Sequence, residues 1–334
     1  MRSKLFRTMT GLLALLALSA CGQAAPANTT GTPAESTGAP TVESTTPQSA
    51  FDTLDGKRII FIGNSYTHAA NAVIDRGYSV LTQEERMNDE GYFYQICKRA
   101  GLDVNVTAWC FGGHNITDTF AESCTAKGKP CEGQNHPAYI KDPYYDYVAI
   151  QPYKEGKYMG DLMAHLQPIV DFFRKANPNV KFLLLVPHMA VERNYAWAKD
   201  LDQLADSGFI ICNWGSMLHD ICQKTVEVPG ATQPFGRPTF VISASAEDGH
   251  HQNMLAGYLT ALMAYCAITG DSAVGHPYDF CYDSSIHRKF EDFETYKSKR
   301  YVYDIYTNFD LVFQSEPDML GLQQLVDQYI EKYN

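Results

Sequence analysis

The chain has 334 residues, of which 45% are hydrophobic and 19% are charged, and its formal net charge at pH 7 is −11. This negative charge argues against a surface that follows nucleic-acid phosphates or anionic lipid headgroups. We therefore expect no nucleic-acid partner, and a neutral or cationic ligand suits the charge better.

The N-terminal segment has the pattern of an export signal. Three cations precede an apolar run at residues 12–18, which is too short to span a bilayer as a permanent helix. The run leads into Leu-Ser-Ala-Cys, which ends at Cys21 and resembles a bacterial lipobox, where cleavage exposes the cysteine for acylation. We predict a lipoprotein signal peptide at residues 1–20 and a lipidated Cys21. An ordinary signal peptide that happens to precede a cysteine is the alternative. Loss of the three cations takes the formal net charge from −11 to −14.

A tether follows the predicted lipidation site. Residues 21–52 consist largely of Ala, Thr, Ser, Pro, Gly, Gln and Glu, which bury too little apolar area to offset the entropy of ordering. We predict a disordered linker that holds a domain at residues 53–334 away from the membrane. The expected location is the bacterial cell membrane, facing outside the cytoplasm, with the N-terminal lipid as the only membrane contact. The domain carries a C-terminal extension from about residue 275.

The chain has nine cysteines, and lipidation of Cys21 leaves an even number in a compartment that can be oxidising. Two pairings come first by proximity along the chain: Cys124 with Cys131, and Cys212 with Cys222. No C-x-x-C pair occurs, which removes the usual signals of a zinc ribbon or a thioredoxin.

Short apolar runs alternate with amphipathic segments along the domain. The runs at 58–63, 104–108, 147–151, 182–186 and 209–212 predict buried parallel strands, and a last strand is expected near 239–243. The segments at 92–100, 162–176, 197–204, 254–268 and 320–333 predict helices, the fourth of which ends at Gly270. This alternation predicts an α/β fold, a three-layer α/β/α sandwich with a mostly parallel central sheet. Its ligand site should lie at the carboxyl ends of the strands.

The first predicted strand runs directly into Gly63-Asn64-Ser65. Ser65 thus stands where a strand ends and a helix begins, and the free N–H groups of a helix start can stabilise the oxyanion formed when a serine attacks an ester. A plain N-cap serine is the alternative, since serine and asparagine are favoured at such turns. The neighbouring Tyr66 could form a wall for a sugar ring.

A second polar cluster, at residues 247–253, stands directly before the last long apolar helix. A nucleophilic serine needs a base with a pKa near neutral, and histidine is the usual one. Asp248 lies three residues before His251, a spacing that lets the carboxylate accept the imidazole N–H while the other ring nitrogen faces the nucleophile. His250 is the main alternative base. A metal site built from Asp248, His250 and His251 is a further alternative, but no second cluster at ligand spacing accompanies it.

The two clusters resemble those of the SGNH, or GDSL-like, hydrolase superfamily of esterases, lipases and carbohydrate deacetylases, over most of residues 57–270. In that family the nucleophile lies in a Gly-Asp-Ser-like turn after the first strand, which Gly63-Asn64-Ser65 matches with asparagine in place of the acid. An Asp-x-x-His unit before the final helix is matched by Asp248 and His251. The resemblance implies a flavodoxin-like form of the sandwich and a catalytic triad of Ser65, Asp248 and His251.

The resemblance also implies three donors to an oxyanion hole. One is the N–H of a glycine after the second strand, for which Gly113 is our first choice and Gly112 our second. The family's third block ends a strand with Gly-x-Asn, whereas this chain has Ala-Ile-Gln, ending at Gln151. Gln151 keeps a carboxamide donor on a side chain longer by one methylene, so it could reach the same oxygen. We predict a hole formed by the Ser65 N–H, the Gly113 N–H and the Gln151 amide.

These residues predict an SGNH-type carboxylic ester hydrolase that requires no metal or other cofactor. For a lipid-anchored surface enzyme, the resemblance favours an acylated carbohydrate or another small ester as substrate, with acetyl or other short acyl groups removed from extracellular glycans. A catalytically weak or inactive glycan-binding lipoprotein of the same fold is the alternative, because Asn64 and Gln151 depart from the family's blocks. Three further histidines could approach the cleft, without so clear an acidic partner: His68, His114 and His188.

Overall fold

The computed structural model describes residues 54–67, 91–110, 115–116, 125–126, 129–130, 140, 142–153, 155–156, 158–240, 252, 254–278 and 315–334. All of them belong to the unit Ser49–Asn334, one of the two into which the chain divides. The predicted signal peptide at 1–20, the lipidated Cys21 and the linker at 21–52 lie outside the described residues and stay predictions.

Five strands form the central sheet: β1 (Arg58–Gly63), β2 (Asn105–Cys110), β3 (Tyr147–Ile150), β4 (Lys181–Leu185) and β5 (Phe209–Cys212). Their spatial order is β2-β1-β3-β4-β5, and every neighbouring pair is parallel. This is the strand order of flavodoxin-like doubly wound sheets. Each strand matches a predicted apolar run to within two residues at either end. A separate antiparallel pair joins Thr125–Ala126 to Lys129–Pro130.

The sheet separates two hydrophobic cores. Because successive side chains of a strand point to opposite faces, Ile59 and Phe61 enter one core while Ile60 and Ile62 enter the other. Helices cover both faces, as the continuous apolar runs of the strands require. The predicted three-layer α/β/α sandwich is therefore confirmed.

The helices divide between the two cores. The first core contains side chains of α2 (Tyr92–Arg99), α6 (Trp214–Gln223), α8 (Met254–Thr269) and α9 (Glu316–Glu331). The second contains side chains of α3 (Met159–Ala176), the 3-10 helix Ala196–Lys199 and α5 (Asp202–Asp206). Three short helices complete the described set: α1 (Ser65–Thr67), α4 (His188–Glu192) and α7 (Arg237–Phe240). Residues 255–268 of α8 are all buried, so this helix is enclosed on every side.

Two predicted elements differ from the structure. The strand expected near 239–243 is wrong where it is described, because Thr239 and Phe240 belong to α7. Pro238 is tolerated in the first turn of that helix, and the Thr239 hydroxyl accepts a hydrogen bond of 3.2 Å from the Gly236 N–H. The helix expected at 197–204 is divided in two, because the backbone at Asp200 leaves the helical region at φ −123° and ψ 64°.

The last helix of the chain is built into the first core. Gly321 packs so closely that a Cβ there would lie 2.0 Å from the carbonyl oxygen of Pro229. The Gln323 amide nitrogen donates to the Tyr258 hydroxyl of α8 at 2.9 Å. The C-terminal extension, whose role the sequence left open, therefore supplies part of one helical layer.

Four described cysteines are free thiols: Cys97, Cys212, Cys222 and Cys266. The pairing of Cys212 with Cys222 is therefore wrong. Cys212 ends β5 and Cys222 lies in the last turn of α6, and the rise of about 1.5 Å per helical residue separates them beyond the reach of a disulfide. Burial raises the pKa of both thiols. Cys124 and Cys131 lie outside the described residues. No helix in the described part of the chain is both long and apolar enough to cross a membrane.

Candidate active site

The turn after β1 places Ser65 at the carboxyl edge of the sheet. β1 ends at Gly63, Asn64 follows, and Ser65 begins α1. The chain passes from β1 to β2 on one side and later to β3 on the other, so the carboxyl ends of β1 and β3 form the switch point of the sheet. In open α/β sheets ligands bind at such a point.

Gln151 follows β3 at the same edge. Its backbone N–H donates a hydrogen bond of 2.8 Å to the carbonyl oxygen of Ile62, which continues the pairing of β1 with β3 by one residue. The two predicted site residues Ser65 and Gln151 are thus carried by neighbouring strands. The structure brings together the turn that carries Ser65 and the strand end that carries Gln151. Their roles as nucleophile and oxyanion-hole donor stay predictions.

The side chain of Gln151 is buried and engaged on both sides. Its Oε1 accepts a hydrogen bond of 3.1 Å from the Thr67 hydroxyl, and its Nε2 donates to the carbonyl oxygen of Pro152. A carboxamide nitrogen has two N–H groups, so one further donor remains available by its chemistry. Only 1% of Gln151 is exposed, which fixes this carboxamide firmly in one place.

Gly63 is required by the tight packing at this turn. A Cβ at Gly63 would lie 2.3 Å from Thr67 Oγ1 and 3.0 Å from Gln151 Oε1. Asn64 is also buried, and its Oδ1 accepts a hydrogen bond of 3.1 Å from the Tyr66 N–H, which closes the turn around Ser65. The Gly-Asn-Ser sequence is therefore explained locally by packing and turn formation.

An aromatic group surrounds Tyr66, the residue after the predicted nucleophile. The Tyr66 ring lies 5.5 Å from the His188 ring and 6.0 Å from the Tyr153 ring, between centroids. The His188 ring lies in turn 5.5 Å from that of Trp214. Only 4% of Tyr66 is exposed, so the suggested role of its ring as a wall for a sugar is wrong. The ring is a packing element of the site.

The residue that follows the proposed base in the sequence is anchored to α8. Gln252, directly after His251, is buried, and its Nε2 donates a hydrogen bond of 3.0 Å to Thr260 Oγ1. Asp248 and His251 themselves lie outside the described residues, as does the alternative base His250. Their roles stay predictions.

Several other predicted site residues also lie outside the described part of the chain. The oxyanion-hole glycine Gly113, its alternative Gly112, and the histidines His68 and His114 lie outside the described residues. His188 is described, and it is buried at the start of α4, directly beyond β4. The side chain of Ser65 is not described, although its backbone is.

Sequence reasoning missed two residues that shape this edge. Thr67 links the turn after β1 to Gln151, and Met189 accepts a hydrogen bond of 3.8 Å at its sulfur from the Tyr66 hydroxyl. No local pattern marks either residue, because each contact joins segments more than eighty residues apart. The position of each residue just after a strand was the only available signal.

The described residues contain no group of three or more His, Cys, Asp and Glu side chains able to hold a metal ion. A surface cavity of about 460 Å³ lies beside the end of α6, between Lys224 and Phe235. None of the predicted site residues lines it.

No family model and no curated protein matches the chain. Among solved structures, it is similar to a protein from Slackia heliotrinireducens assigned to the SGNH hydrolases, with 14% identity and a TM-score of 0.38 over 64% of this chain and 99% of that one. A protein from Parabacteroides merdae assigned to the GDSL-like lipases gives 13% identity and a TM-score of 0.40, over 65% and 98%. A family 3 carbohydrate esterase from Clostridium thermocellum gives 15% and 0.36, over 63% and 93%. At these identities and TM-scores the similarities do not assign an activity to the chain.

Proposed function

We propose that the chain is a serine esterase of the SGNH type that removes acetyl or other short acyl groups from extracellular glycans. The observation that carries this proposal is the position of Ser65 and Gln151 at the carboxyl ends of β1 and β3, the switch point of the sheet. A nucleophile and a hydrogen-bond donor to the oxyanion are two of the groups that acyl transfer needs at one site, and a carboxamide can be that donor. The Asp248 and His251 pair supplies the base.

In the proposed reaction, His251 takes the proton of the Ser65 hydroxyl as its oxygen attacks the ester carbonyl carbon. The oxyanion is held by the Ser65 N–H, the Gly113 N–H and the Gln151 amide. The intermediate collapses, the bond to the sugar oxygen breaks, and His251 returns the proton to the leaving alcohol. Water, deprotonated by the same imidazole, then attacks the acyl-serine carbonyl carbon. The bond from that carbon to the Ser65 oxygen breaks, His251 returns the proton to the Ser65 oxygen, and the carboxylic acid is released. Asp248 orients His251 throughout.

The test is hydrolysis of p-nitrophenyl acetate and of an acetylated oligosaccharide by the full chain. Ser65→Ala and His251→Ala should each lower kcat by at least about a thousandfold. Ser207→Ala and His165→Ala are matched controls, because Ser207 is an exposed residue of the α5 terminus and His165 lies on α3. Both should retain wild-type rates. Wild-type turnover no higher than that of Ser65→Ala would refute the esterase.

A second candidate is a glycan-binding protein of the same fold with little or no turnover. It is favoured by the engagement of the Gln151 Nε2 with the Pro152 carbonyl, which occupies one of the two N–H groups of the third donor. Glycan binding by isothermal calorimetry that persists in Ser65→Ala, without ester hydrolysis by the wild type, would establish this candidate in place of the esterase.

We also propose that Cys21 is acylated and anchors the protein to the outer face of the bacterial cell membrane. The lipobox-like sequence before Cys21 and the composition of residues 21–52 support this proposal. Metabolic labelling with an alkyne fatty acid should mark the wild type and not Cys21→Ala. Labelling of both proteins alike would refute the anchor.

A further inference from the structure

The rings of Tyr66, His188 and Trp214 form a continuous series across three segments of the sheet edge. Tyr66 and His188 meet edge to face at an interplanar angle of 75°, and His188 and Trp214 meet at 56°, with both pairs 5.5 Å apart between centroids. The three residues follow β1, β4 and β5 respectively. The series therefore connects the nucleophile turn to the far side of the sheet.

His188 is held rigidly at the centre of this series. The Gly215 N–H, next to Trp214, donates a hydrogen bond of 3.0 Å to the Val186 carbonyl oxygen. A Cβ on Gly215 would lie 2.6 Å from that oxygen and 2.7 Å from the backbone nitrogen of His188. The starts of α4 and α6 are therefore in direct backbone contact. At the other end of α4, Glu192 accepts a hydrogen bond from Arg237. His188 consequently has little freedom to move.

Tyr66 links His188 to Ser65, the proposed nucleophile. Tyr66 is bonded to Ser65 in the chain, its N–H closes the turn onto Asn64 Oδ1, and its hydroxyl reaches the sulfur of Met189, the residue after His188. Side chain and backbone of Tyr66 are therefore both fixed. A shift of the ring would rotate the turn that carries Ser65.

We propose that His188 is a positioning residue, which holds Ser65 in its reactive place through the Tyr66 ring and is not a base. The proposal rests on the proposed esterase function, in which Ser65 is the nucleophile. It concerns the shape of the His188 ring, so an aromatic ring of similar size should serve in its place. It also explains why a buried histidine stands at the active edge while the base is assigned to His251.

The test compares His188→Ala with His188→Phe, each in the wild type and in a Tyr66→Leu background, with p-nitrophenyl acetate as substrate. His188→Ala should lower kcat about tenfold or more, since small displacements of reacting groups are costly, while KM changes less than about threefold. His188→Phe should keep kcat within about threefold of the wild type. In the Tyr66→Leu background, His188→Ala should lower kcat by less than about threefold further, because the link to Ser65 is already lost.

The pH dependence separates positioning from proton transfer. His188→Phe should retain the acidic limb of the kcat/KM profile at the wild-type pH, since the titrating base is His251. A loss of activity in His188→Phe as large as that in Ser65→Ala, in a protein with unchanged circular dichroism, would make His188 a base and overturn the proposal. A full tenfold loss in the Tyr66→Leu background would also overturn it, and would leave the esterase standing. Absence of Ser65-dependent turnover in the wild type would instead refute the proposed function itself and positioning with it.

Discussion

The Thr67 hydroxyl donates a hydrogen bond of 3.1 Å to Oε1 of Gln151 and so joins the turn that carries Ser65 to the end of β3. The carboxamide accepts on one side from Thr67 and donates on the other to Pro152. Its orientation is therefore fixed before any substrate binds. A preorganised donor is what stabilisation of an oxyanion requires, because no reorganisation is needed during the reaction.

The donor role of Gln151 is tested by removing the carboxamide. Gln151→Ala should lower kcat about a hundredfold, the typical effect of losing one oxyanion-hole donor. Thr67→Val is the matched control, since it removes the same hydrogen bond and keeps the amide. It should lower the unfolding free energy by about 1–3 kcal/mol, because Oε1 is left without its partner, and kcat by less than about tenfold. Equal losses of kcat in the two variants, measured with p-nitrophenyl acetate, would exclude the donor role.

The tight packing of Gly63 leads to a second prediction. In Gly63→Ala the new Cβ, at 2.3 Å from Thr67 Oγ1, must push the turn away and should lower the unfolding free energy by about 1–3 kcal/mol. Thr67→Ala removes the nearest atom and should restore part of that loss in the double variant. Gly160→Ala is the control, since nothing lies within 4 Å of a Cβ at this position of α3. Urea denaturation measures the wild type, the two single variants, the double variant and Gly160→Ala. A loss from Gly63→Ala that is as large in the Thr67→Ala background as in the wild type would contradict the packing argument.

The sequence predicted the layers because their cause is local. A strand buried on both faces must be apolar throughout, so the runs at β1 to β5 are visible without any knowledge of their neighbours. The enclosed helix α8 is recognised in the same way. The position of Ser65 followed from the same rule, since a ligand site of a parallel sheet lies at the carboxyl ends of its strands.

The side-chain contacts around Ser65 and Gln151 could not be predicted from the sequence, because each joins segments that are distant in the chain. Thr67 pairs with Gln151, and His188 packs on Tyr66, over separations in sequence that carry no periodic signal. The strand expected near 239–243 failed for another reason. Its first residues are apolar or β-branched, but Pro238 and the Thr239 contact to Gly236 favour a helical turn there.

We expect Asp318, at the start of α9, to make the stability of the protein depend on pH in the acidic range. Its carboxylate accepts hydrogen bonds from the Thr232 N–H at 2.6 Å, the Thr232 hydroxyl at 2.9 Å and the Gln233 amide at 3.2 Å. Burial acts to raise the pKa of Asp318, but hydrogen bonds from Ser315, Thr232 and Gln233 outweigh it and lower the pKa below its ordinary value. The carboxylate is thus favoured in the folded state.

A lowered pKa gives stability that is complete above the unfolded-state pKa of about 4 and is lost as the pH falls through the folded-state value. Asp318→Asn should therefore have a lower melting temperature than the wild type at neutral pH. The difference should shrink below about pH 4, where the carboxyl of the unfolded chain gains its proton first and that of the folded protein follows at lower pH. Thermal unfolding followed by circular dichroism at several pH values measures this difference. A difference that stays constant from neutral pH to pH 3 would show that the charge of Asp318 is irrelevant.

Asn334 covers the outer edge of β5, the last strand in the described sheet. Its Oδ1 accepts from the Ile211 N–H and its Nδ2 donates to the Ile211 carbonyl oxygen, both at 3.0 Å. The Asn334 carboxamide thus makes the two hydrogen bonds that the backbone of a neighbouring strand would make with Ile211. Since Ile211 is fully buried, Asn334→Ala leaves both backbone groups without partners, and we expect the unfolding free energy to fall by about 1–3 kcal/mol.

Asn334→Asp distinguishes pairing from simple contact. It keeps an acceptor for the Ile211 N–H but sets an oxygen against the Ile211 carbonyl oxygen, so it should be no more stable than Asn334→Ala. Glu331→Ala, at the exposed last position of α9 and three residues before Asn334, should leave stability within about 0.5 kcal/mol of the wild type. Amide hydrogen exchange gives the local measurement, because the Ile211 N–H should exchange faster in both Asn334 variants. An exchange rate of the Ile211 N–H that is unchanged in Asn334→Ala would contradict the prediction. The strand edge would then be protected by packing alone, because the amide stays inaccessible without its hydrogen-bond partner.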